Sequence, residues 1–509
     1  MANAADVLIV DWQTASARSS GHRCARGRAD QPRAFADSSR GHNVSAAVAP
    51  VAGDGRGGFL LDADVLWGGW TAHMQFFDSR LRPGQLVNSL MGLEHDTLGT
   101  PLALARSHQR CVRRWGSGAC NFSSAQLVMH SHSDVAKLDS TFGEDSLEDL
   151  VAWQDIASDG DASSVWIGKR GAYQRSLAHY TAEMFDSKHL LASCDTLPAG
   201  MWIVMPWPTS PLLWRHHRFI LRTWLLLPAV SPLRLYLLQD AWAHVVAKPY
   251  RSDQLMVNYK DKCVHLWSTS SCSVTHSHRV MRCNHGAFSE GLVGLPPGLD
   301  HTLHWRRRIW PLLEDAAVRA VASVWHELDR YEQALRARGH TYRRVAQLTA
   351  DWVIDEGGRP LLLDVDVDGV VPSASMALSQ KYALDALQLL GVRGFRRAEY
   401  QEGFVESARP FCTAARCSQA AADALQDLVD EAHHAGGFAR IFPPAHAHGC
   451  APYCDYFAQS RLTAETGPGG WPLAAGEENL LTWSFLKQHQ QSLPARVRPA
   501  SKPIFGDSQ

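Results

Sequence analysis

The sequence feature that most constrains this chain is a pair of glycines between two apolar runs, within residues 351–366 (DWVIDEGGRPLLLDVD). Glycine adopts positive φ angles at little cost, and tight hairpin turns require such angles. Gly357-Gly358 therefore predicts an antiparallel β-hairpin whose strands are the apolar runs on either side.

The register of this hairpin separates apolar from acidic side chains. If Glu356 pairs with Arg359, Asp351 faces Asp364, and side chains then alternate between two faces. One face is expected to be a core face, made of Trp352, Ile354, Leu361, Leu363, Val365 and Val367. The other face carries Asp351, Asp364 and Asp366 at one end.

The negative charges of three carboxylates this close together must be compensated. Opposed Cβ atoms of a strand pair lie about 5 Å apart, and like charges at that separation are destabilising. A cation must lie among them, or one carboxylate must hold a proton. Clustered carboxylate oxygens suit Mg²⁺, which proteins commonly hold with one or two carboxylates together with phosphates. The alternative is an acidic, solvated sheet edge, and the spacing alone does not decide between the two.

Hydrophobic patterning elsewhere indicates mixed strands and helices, hence an α+β or α/β body over 60–390. The predicted strands are 165–169, 201–205, 218–227, 234–246, 345–355 and 360–367. The predicted helices are 146–156, a long amphipathic helix over 309–335, and one near 376–390.

Composition excludes several classes of function. The 509 residues carry 50 basic and 51 acidic side chains, so no overall basic field predicts nucleic-acid binding. The most apolar window, 219–246, is interrupted by charges and prolines, which argues against membrane insertion. Eleven cysteines at irregular spacings favour reduced thiols in a soluble, intracellular protein over a disulfide framework.

Several short motifs follow one another in an order that resembles the tubulin–tyrosine ligase family, which includes tubulin glutamylases and glycylases. The matching segments are Gly84–Asn88, Trp166–Lys169, Arg218-Phe219 with Arg222, Leu233–Tyr236, Lys248–Tyr250, His265-Leu266, the set Asp351, Asp364 and Asp366, and Gly436–Pro443. Each match alone is weak. Their common order and the spacing of the aspartates make the resemblance specific.

The resemblance implies an α+β fold with an ATP-grasp-like body, a small N-terminal α/β domain and a C-terminal appendage. The expected divisions are a largely disordered segment 1–57, an N-terminal domain 58–160, a central ATP-grasp subdomain 161–250, a C-terminal subdomain with the metal site 251–392, and an appendage 393–509.

The resemblance also implies a ligase that uses ATP and Mg²⁺. Such enzymes phosphorylate a carboxylate and let an amine displace the phosphate. The substrate is expected to be the acidic C-terminal tail of tubulin, and the added group a free amino acid (tyrosine, glutamate or glycine). The expected location is the cytoplasm and cytoskeleton, with the cilium or basal body as a narrower alternative.

By the same resemblance, each site residue has an expected role. Arg222 and Arg218 are the catalytic cations facing the transferred phosphate, and Asp351, Asp364 and Asp366 hold the metal. The expected ATP-binding residues are Lys169, Gly171, Met205, Trp207 and Asp351, and the expected substrate-binding residues are His244 and Lys248. Lys169 is expected to contact the α/β-phosphates.

The chain departs from the family pattern at positions that the resemblance places near the nucleotide. Ile220 replaces an aspartate, Pro206 lacks an N–H that could help to hold adenine, and only Gly171 remains of a glycine-rich lid. His244 replaces an arginine. Two hypotheses remain: an active, divergent ligase, which the retained acidic set favours, and a tubulin-binding pseudoenzyme or scaffold.

Overall fold

The structure is a computed structural model. It describes residues 7–9, 65–67, 85–88, 90, 92–93, 97–124, 126–130, 165–170, 183–186, 201–265, 279–282, 292–293, 304–340, 342–367, 376–392, 407–444, 453–457 and 477–489. Gly171 and the predicted helix 146–156 lie outside these residues.

The strands follow the predicted apolar runs. In chain order they are β1 (Val7–Ile9), β2 (Val65–Trp67), β3 (Leu86–Asn88), β4 (Leu127–His130), β5 (Val165–Arg170), β6 (Glu183–Asp186), β7 (Met201–Pro206), β8 (Leu213–Trp214), β9 (Phe219–Val230), β10 (Leu233–Leu238), β11 (Trp242–Val245), β12 (Arg279–Arg282), β13 (Leu292–Val293), β14 (Arg343–Ile354), β15 (Pro360–Asp366) and β16 (Phe438–Phe442). The predicted strand 234–246 is therefore two strands.

The helices are interspersed with the strands, which confirms the mixed α+β class. In chain order they are α1 (Pro101–Trp115), α2 (Leu255–Asn258), α3 (Lys262–His265), α4 (Trp310–Ala322), α5 (Trp325–Ala337), α6 (Met376–Leu389), α7 (Arg409–Ala415), α8 (Gln419–His433), α9 (Cys454–Phe457) and α10 (Glu477–Gln488). A turn of π-helix, Trp305–Ile309, precedes α4.

The prediction of one helix over 309–335 is wrong, because α4 ends at Ala322 and α5 begins at Trp325. At the break, the Ser323 hydroxyl donates to the Ala320 carbonyl over 2.8 Å. The Trp325 indole N–H donates to the Val230 carbonyl at the end of β9 over 2.9 Å. Anchoring a buried indole to the sheet thus sets where the second helix starts.

The described strands form two larger sheets and a two-stranded one, in which β13 pairs with β8. Within the described residues, the large sheet runs β1-β2-β3-β14-β9-β10-β16, with β15 also on β14, β11 also on β9, and β12 on β11. A smaller sheet has the order β4-β7-β5-β6. Ile167 and Met205 of the small sheet share one apolar cluster with Ile220, Val353 and Leu363 of the large sheet. The two sheets therefore pack face to face along this cluster.

The predicted domain limits do not separate these sheets. The parallel strands β1 to β3 continue into the central sheet, because β3 pairs with β14. The segment predicted as a C-terminal appendage contributes β16, which pairs with β10 of that sheet. The described parts of both chain ends are thus built into the ATP-grasp-like body.

Cysteine pairing corrects a second expectation. Cys111 and Cys120 form a disulfide, as do Cys412 and Cys417. Cys263 is also disulfide-bonded. The prediction of reduced thiols is wrong for these cysteines, which form cross-links that irregular sequence spacing did not reveal. Among the described helices, none combines the length and the apolar content needed to cross a membrane.

Candidate functional site

The glycine-closed hairpin exists as predicted, with a longer turn. Asp355 rather than Glu356 pairs with Arg359, the Asp355 N–H donating to the Arg359 carbonyl over 3.0 Å. Gly358 supplies the positive φ, +85°. The turn therefore contains three residues, Glu356 to Gly358, where the sequence predicted only the two glycines. The additional residue, Glu356, is on the side of the first strand.

A β-bulge offsets the longer turn. Asp351 faces Asp364 as predicted, but one step on, Trp352 faces Leu362, so Leu363 is an additional residue in β15. Such bulges commonly reorient side chains and backbone groups beside functional sites. Here the bulge restores the predicted register at the acidic end of the hairpin.

The predicted core face needs correction for the same reason. Trp352 packs in one buried cluster with Leu362, whereas Leu363 lies in the cluster between the two sheets. Leu361 faces Val353 across the strands. Leu361 and Leu363 therefore do not share the face of Trp352.

A buried ion pair occupies the centre of the acidic cluster. The Arg222 Nε and Nη2 donate to Asp351 Oδ1 and Oδ2, each over 2.7 Å. The two residues face each other in the β9–β14 pairing, so the register itself brings them together. Burial acts to lower the pKa of Arg222, but Asp351, Asp366 and Asp364 outweigh it, and the pKa lies above its ordinary value. All three carboxylates therefore lie close to one guanidinium.

Lys169 reaches the same cluster from the small sheet. Its Nζ donates to the carbonyl of Leu363, the bulge residue of β15. The side chain is buried, and burial lowers the pKa of Lys169 although Asp364 and Asp351 act in the opposite direction. The Lys169 amine, expected at the phosphates of ATP, thus lies against the acidic hairpin.

The three aspartates do not form a ready-made metal cage. Asp351 is engaged by both nitrogens of the Arg222 fork, and the Val365 N–H donates to Asp364 Oδ1 over 3.1 Å. Across the described residues, no group of three or more His, Cys, Asp or Glu side chains is placed to hold a metal. Asp364 and Asp366 lie beside this ion pair, and two carboxylates fit Mg²⁺ when phosphate oxygens complete its shell.

Arg218 lies away from the acidic cluster. Its Nη2 donates to the Pro208 carbonyl over 2.7 Å, and its guanidinium stacks 4.1 Å from the Tyr250 ring centre and 5.5 Å from that of Trp207. Burial lowers the pKa of Arg218 to about 10, with Tyr250 acting the other way. The structure therefore separates Arg218 from Arg222, although both were expected at the transferred phosphate.

The remaining predicted residues divide between the buried interior and the surface. Met205 and Trp207 are buried in the cluster between the two sheets, at the end of β7. His244 is buried on β11 and faces Ile220 across the strands. Lys248 pairs with Asp261 over 2.6 Å, with 43% of its side chain exposed.

Two hydrogen bonds from the segment before β4 support the bulge. The Leu362 N–H donates to the Phe122 carbonyl over 2.7 Å, and the Ser123 hydroxyl donates to the Leu362 carbonyl over 2.9 Å. These contacts hold the β15 backbone beside Leu363, the acceptor for Lys169. The partners are 239 residues apart in the chain, so no local pattern could have identified them.

The assembled cluster combines two buried cations with three carboxylates, on facing surfaces of two sheets. Its formal charge is −1, so a polyanion would need a divalent cation to bind there with it. Phosphoryl transfer depends mainly on positioning and on neutralising charge.

Comparisons with known proteins identify a family and two named relatives. Residues 122–375, about half of the chain, match the tubulin-tyrosine ligase family. The chain is 24% identical to tubulin monoglycylase TTLL3 of Mus musculus over 48% of its length and 25% of the relative's. It is 23% identical to tubulin monoglycylase TTLL3 of Homo sapiens over 52% of its length and 33% of the relative's. The chain thus aligns with a third or less of these curated relatives.

Proposed function

Since this chain belongs to the tubulin-tyrosine ligase family as a divergent member, we propose that it is an ATP-dependent ligase. It joins an amino acid to a carboxylate on the acidic tail of tubulin. The related proteins are named as tubulin monoglycylases, which supports tubulin as the partner and glycine, beside tyrosine and glutamate, as a candidate amino acid.

The reaction has two balanced steps. A carboxylate oxygen of the tubulin tail attacks the γ-phosphorus of ATP, the bond to the β–γ bridging oxygen breaks, and ADP leaves. The amine of the amino acid then attacks the acyl carbonyl, loses a proton, and displaces inorganic phosphate. The product is an amide bond on the tail.

The charged cluster supports this chemistry. Lys169, a compact cation, holds phosphate oxygens. Arg222, whose Nε and Nη2 bind Asp351, contributes its positive charge beside the transferred group. Asp364 and Asp366 would hold Mg²⁺, which when bound neutralises phosphate charge. Asp351 orients Arg222 through the two 2.7 Å hydrogen bonds. His244 and Lys248 are the proposed contacts to the acidic substrate.

One observation carries the proposal: the Lys169 amine, from one sheet, meets the hairpin of the other sheet at Leu363, next to Asp364. A cation and carboxylates that converge from two facing sheets are the arrangement that a Mg²⁺-triphosphate needs. A hairpin serving only as a solvated edge would not bury these groups.

The second candidate is a tubulin-binding pseudoenzyme or scaffold. Two departures from the family pattern at positions expected near adenine support this candidate. Pro206 has no N–H, and Ile220 replaces a hydrogen-bonding side chain. Both candidates place the protein with tubulin, hence at the cytoskeleton, with the cilium as the narrower proposal.

Calorimetry on the full chain, with MgATP, separates these candidates. The wild type is expected to bind MgATP saturably, and Asp364→Ala and Lys169→Ala are each expected to weaken binding at least tenfold. Arg251→Ala, an exposed cation paired with Asp253, is the matched control and should bind as the wild type does. Incorporation of labelled glycine, glutamate or tyrosine into tubulin then identifies the amino acid. Binding of tubulin without MgATP binding would support the scaffold instead.

A further inference from the structure

Two side chains from distant parts of the chain donate to successive carbonyls of the bulge in β15. The Ser123 hydroxyl donates to the Leu362 carbonyl over 2.9 Å, and the Lys169 amine donates to the next carbonyl, that of Leu363. Because a peptide unit is planar, fixing the Leu362 carbonyl also fixes the N–H and the Cα of Leu363. The contact made by Ser123 therefore affects where the acceptor of the lysine amine lies.

Strand pairing holds this part of β15 from one side only. Among the described strands, β15 pairs with β14 alone. Both backbone groups of Leu362 are instead engaged by residues that belong to no strand. The Leu362 N–H donates to the Phe122 carbonyl over 2.7 Å, and its carbonyl accepts from Ser123. Phe122 uses its backbone for this contact, whereas Ser123 uses a side chain, which a substitution can remove.

Ser123 is itself held in place from the side of α1. Gln126 Nε2 donates to the Ser123 hydroxyl oxygen over 2.8 Å, and Gln109 Nε2 of α1 donates to the Gln126 carbonyl over 3.0 Å. Ser123 is 6% exposed and Gln126 2%, so both contacts are shielded from water. A serine hydroxyl has one proton to donate. With Gln126 as its donor, Ser123 directs that proton to Leu362.

Removing the Ser123 hydroxyl would take a donor from a buried carbonyl. Leu362 is 1% exposed, and the loss of a hydrogen bond by a buried acceptor is costly, so the bulge is expected to shift toward another donor. Lys169 binds the adjacent carbonyl and would shift with it. A displacement of about 1 Å at a reacting centre can cost about a hundredfold in rate. A small shift of the bulge is therefore enough to matter at Lys169.

We propose that Ser123 is a positioning residue for Lys169, acting through the Leu362–Leu363 backbone. The proposal rests on the proposed function, since it takes the Lys169 amine to hold phosphate oxygens of ATP. It goes beyond that function by assigning a role in nucleotide binding to a side chain outside the charged cluster, on a segment that joins α1 to the hairpin.

Calorimetric titration of the full chain with MgATP tests the proposal. Ser123→Ala should raise the dissociation constant about fivefold, the equivalent of one buried hydrogen bond. Ser123→Thr keeps a hydroxyl and should restore binding to within about twofold of the wild type. If Ser123→Thr binds as weakly as Ser123→Ala, the hydroxyl does not have this role.

Ser107→Ala is the matched control. Ser107 is 2% exposed, accepts from Arg110 over 2.9 Å and donates to the Thr97 carbonyl over 2.6 Å, so it makes the same kinds of hydrogen bond away from the bulge. Both alanine variants should lower the temperature of unfolding, but Ser107→Ala should bind MgATP as the wild type does. Equal losses of MgATP affinity in the two variants would show a purely structural role and overturn the inference.

A double-mutant cycle shows whether Ser123 acts through Lys169. Adding Ser123→Ala to Lys169→Ala should weaken MgATP binding by less than about twofold more, because the amine that the hydroxyl positions is absent. If the fivefold loss recurs in the Lys169→Ala background, the two residues act independently and the inference falls.

A second variant decides the question if Ser123→Ala does not fold. Gln126→Met removes the donor to Ser123 and keeps the length of the side chain, and it should weaken MgATP binding at least twofold. Wild-type affinity in whichever of these two variants folds overturns the inference and leaves the proposed ligase function intact. If the wild type itself does not bind MgATP, both fall.

Discussion

At the residue scale, the most informative feature of the site is the pairing of Asp351 with Arg222. The sequence indicated a metal ligand, but both carboxylate oxygens accept hydrogen bonds from the Arg222 fork. Removing one partner of a buried pair leaves an uncompensated charge, which typically costs about 3–5 kcal/mol. We therefore propose that Asp351 positions Arg222 and that Asp364 and Asp366 are the metal ligands.

Asp351→Ala should lower the free energy of unfolding by about 3 kcal/mol, because Arg222 keeps its charge without its principal counter-ion. Urea denaturation at pH 7 measures the change. Asp253→Ala breaks an exposed pair with Arg251 and should leave the midpoint unchanged. Equal midpoints for Asp351→Ala and the wild type would contradict the proposed importance of this pair.

At the element scale, the hairpin shows how two local deviations compensate. The turn is longer than the two glycines indicated, and the bulge at Leu363 takes up the additional residue. Asp351 and Asp364 consequently stay opposite each other. The bulge also places the Leu363 carbonyl where Lys169 binds.

The two turn glycines should differ in their tolerance of a side chain. Gly358 has φ +85°, and a Cβ there would lie 3.2 Å from Ile309 Cγ1. Gly358→Ala should destabilise the fold by about 1–2 kcal/mol through backbone strain. Gly357 has no positive φ, so Gly357→Ala should cost less, as thermal unfolding of both variants would reveal. A greater loss for Gly357→Ala would refute this assignment of the strained position.

Helix α8 docks on the central sheet through a buried charge. Glu431 Oε2 lies 3.1 Å from Arg234 Nε and accepts from the Tyr236 hydroxyl over 3.0 Å. The side chains of Arg234 and Glu431 are each 2% exposed. This contact joins the C-terminal region to β10, which explains why that region is not a separate appendage.

Glu431→Gln should destabilise the protein by about 3 kcal/mol, because the buried Arg234 loses its main counter-charge. Hydrogen exchange should become faster in β16 and α8 before it does in β14. Asp427→Asn is the matched control on the same helix; its side chain is 44% exposed, so the loss should stay below about 1 kcal/mol. Similar losses in the two variants would argue against a buried docking contact.

At the scale of the whole molecule, buried histidines couple stability to pH. Burial, assisted by Arg218, lowers the pKa of His265 to about 3, and burial also lowers the pKa of His108. The unfolded chain binds these protons near pH 6.5 and the folded chain does not. Their stabilising contribution is therefore present above about pH 6.5 and is lost as the pH falls below that value.

For His265 alone, moving from pH 7.5 to 5.5 should remove about 1.3 kcal/mol of unfolding free energy. His265→Gln cannot take up this proton, so its stability should fall by that much less over the same interval. Urea denaturation of both proteins at the two pH values gives the comparison. Identical pH dependence in the variant and the wild type would show that His265 is not the group responsible.

Local chemistry in the sequence determined the strands, the glycine-closed hairpin and the Asp351–Asp364 pairing, because alternation and backbone preference act over a few residues. Tertiary structure alone decided that Arg222 takes both oxygens of Asp351, that Lys169 meets Leu363, and that Arg218 stacks on Tyr250. These partners are far apart in the chain. Each of these charged residues could make several kinds of contact. The pairing of distant strands and the packing of the two sheets decide which contact it makes.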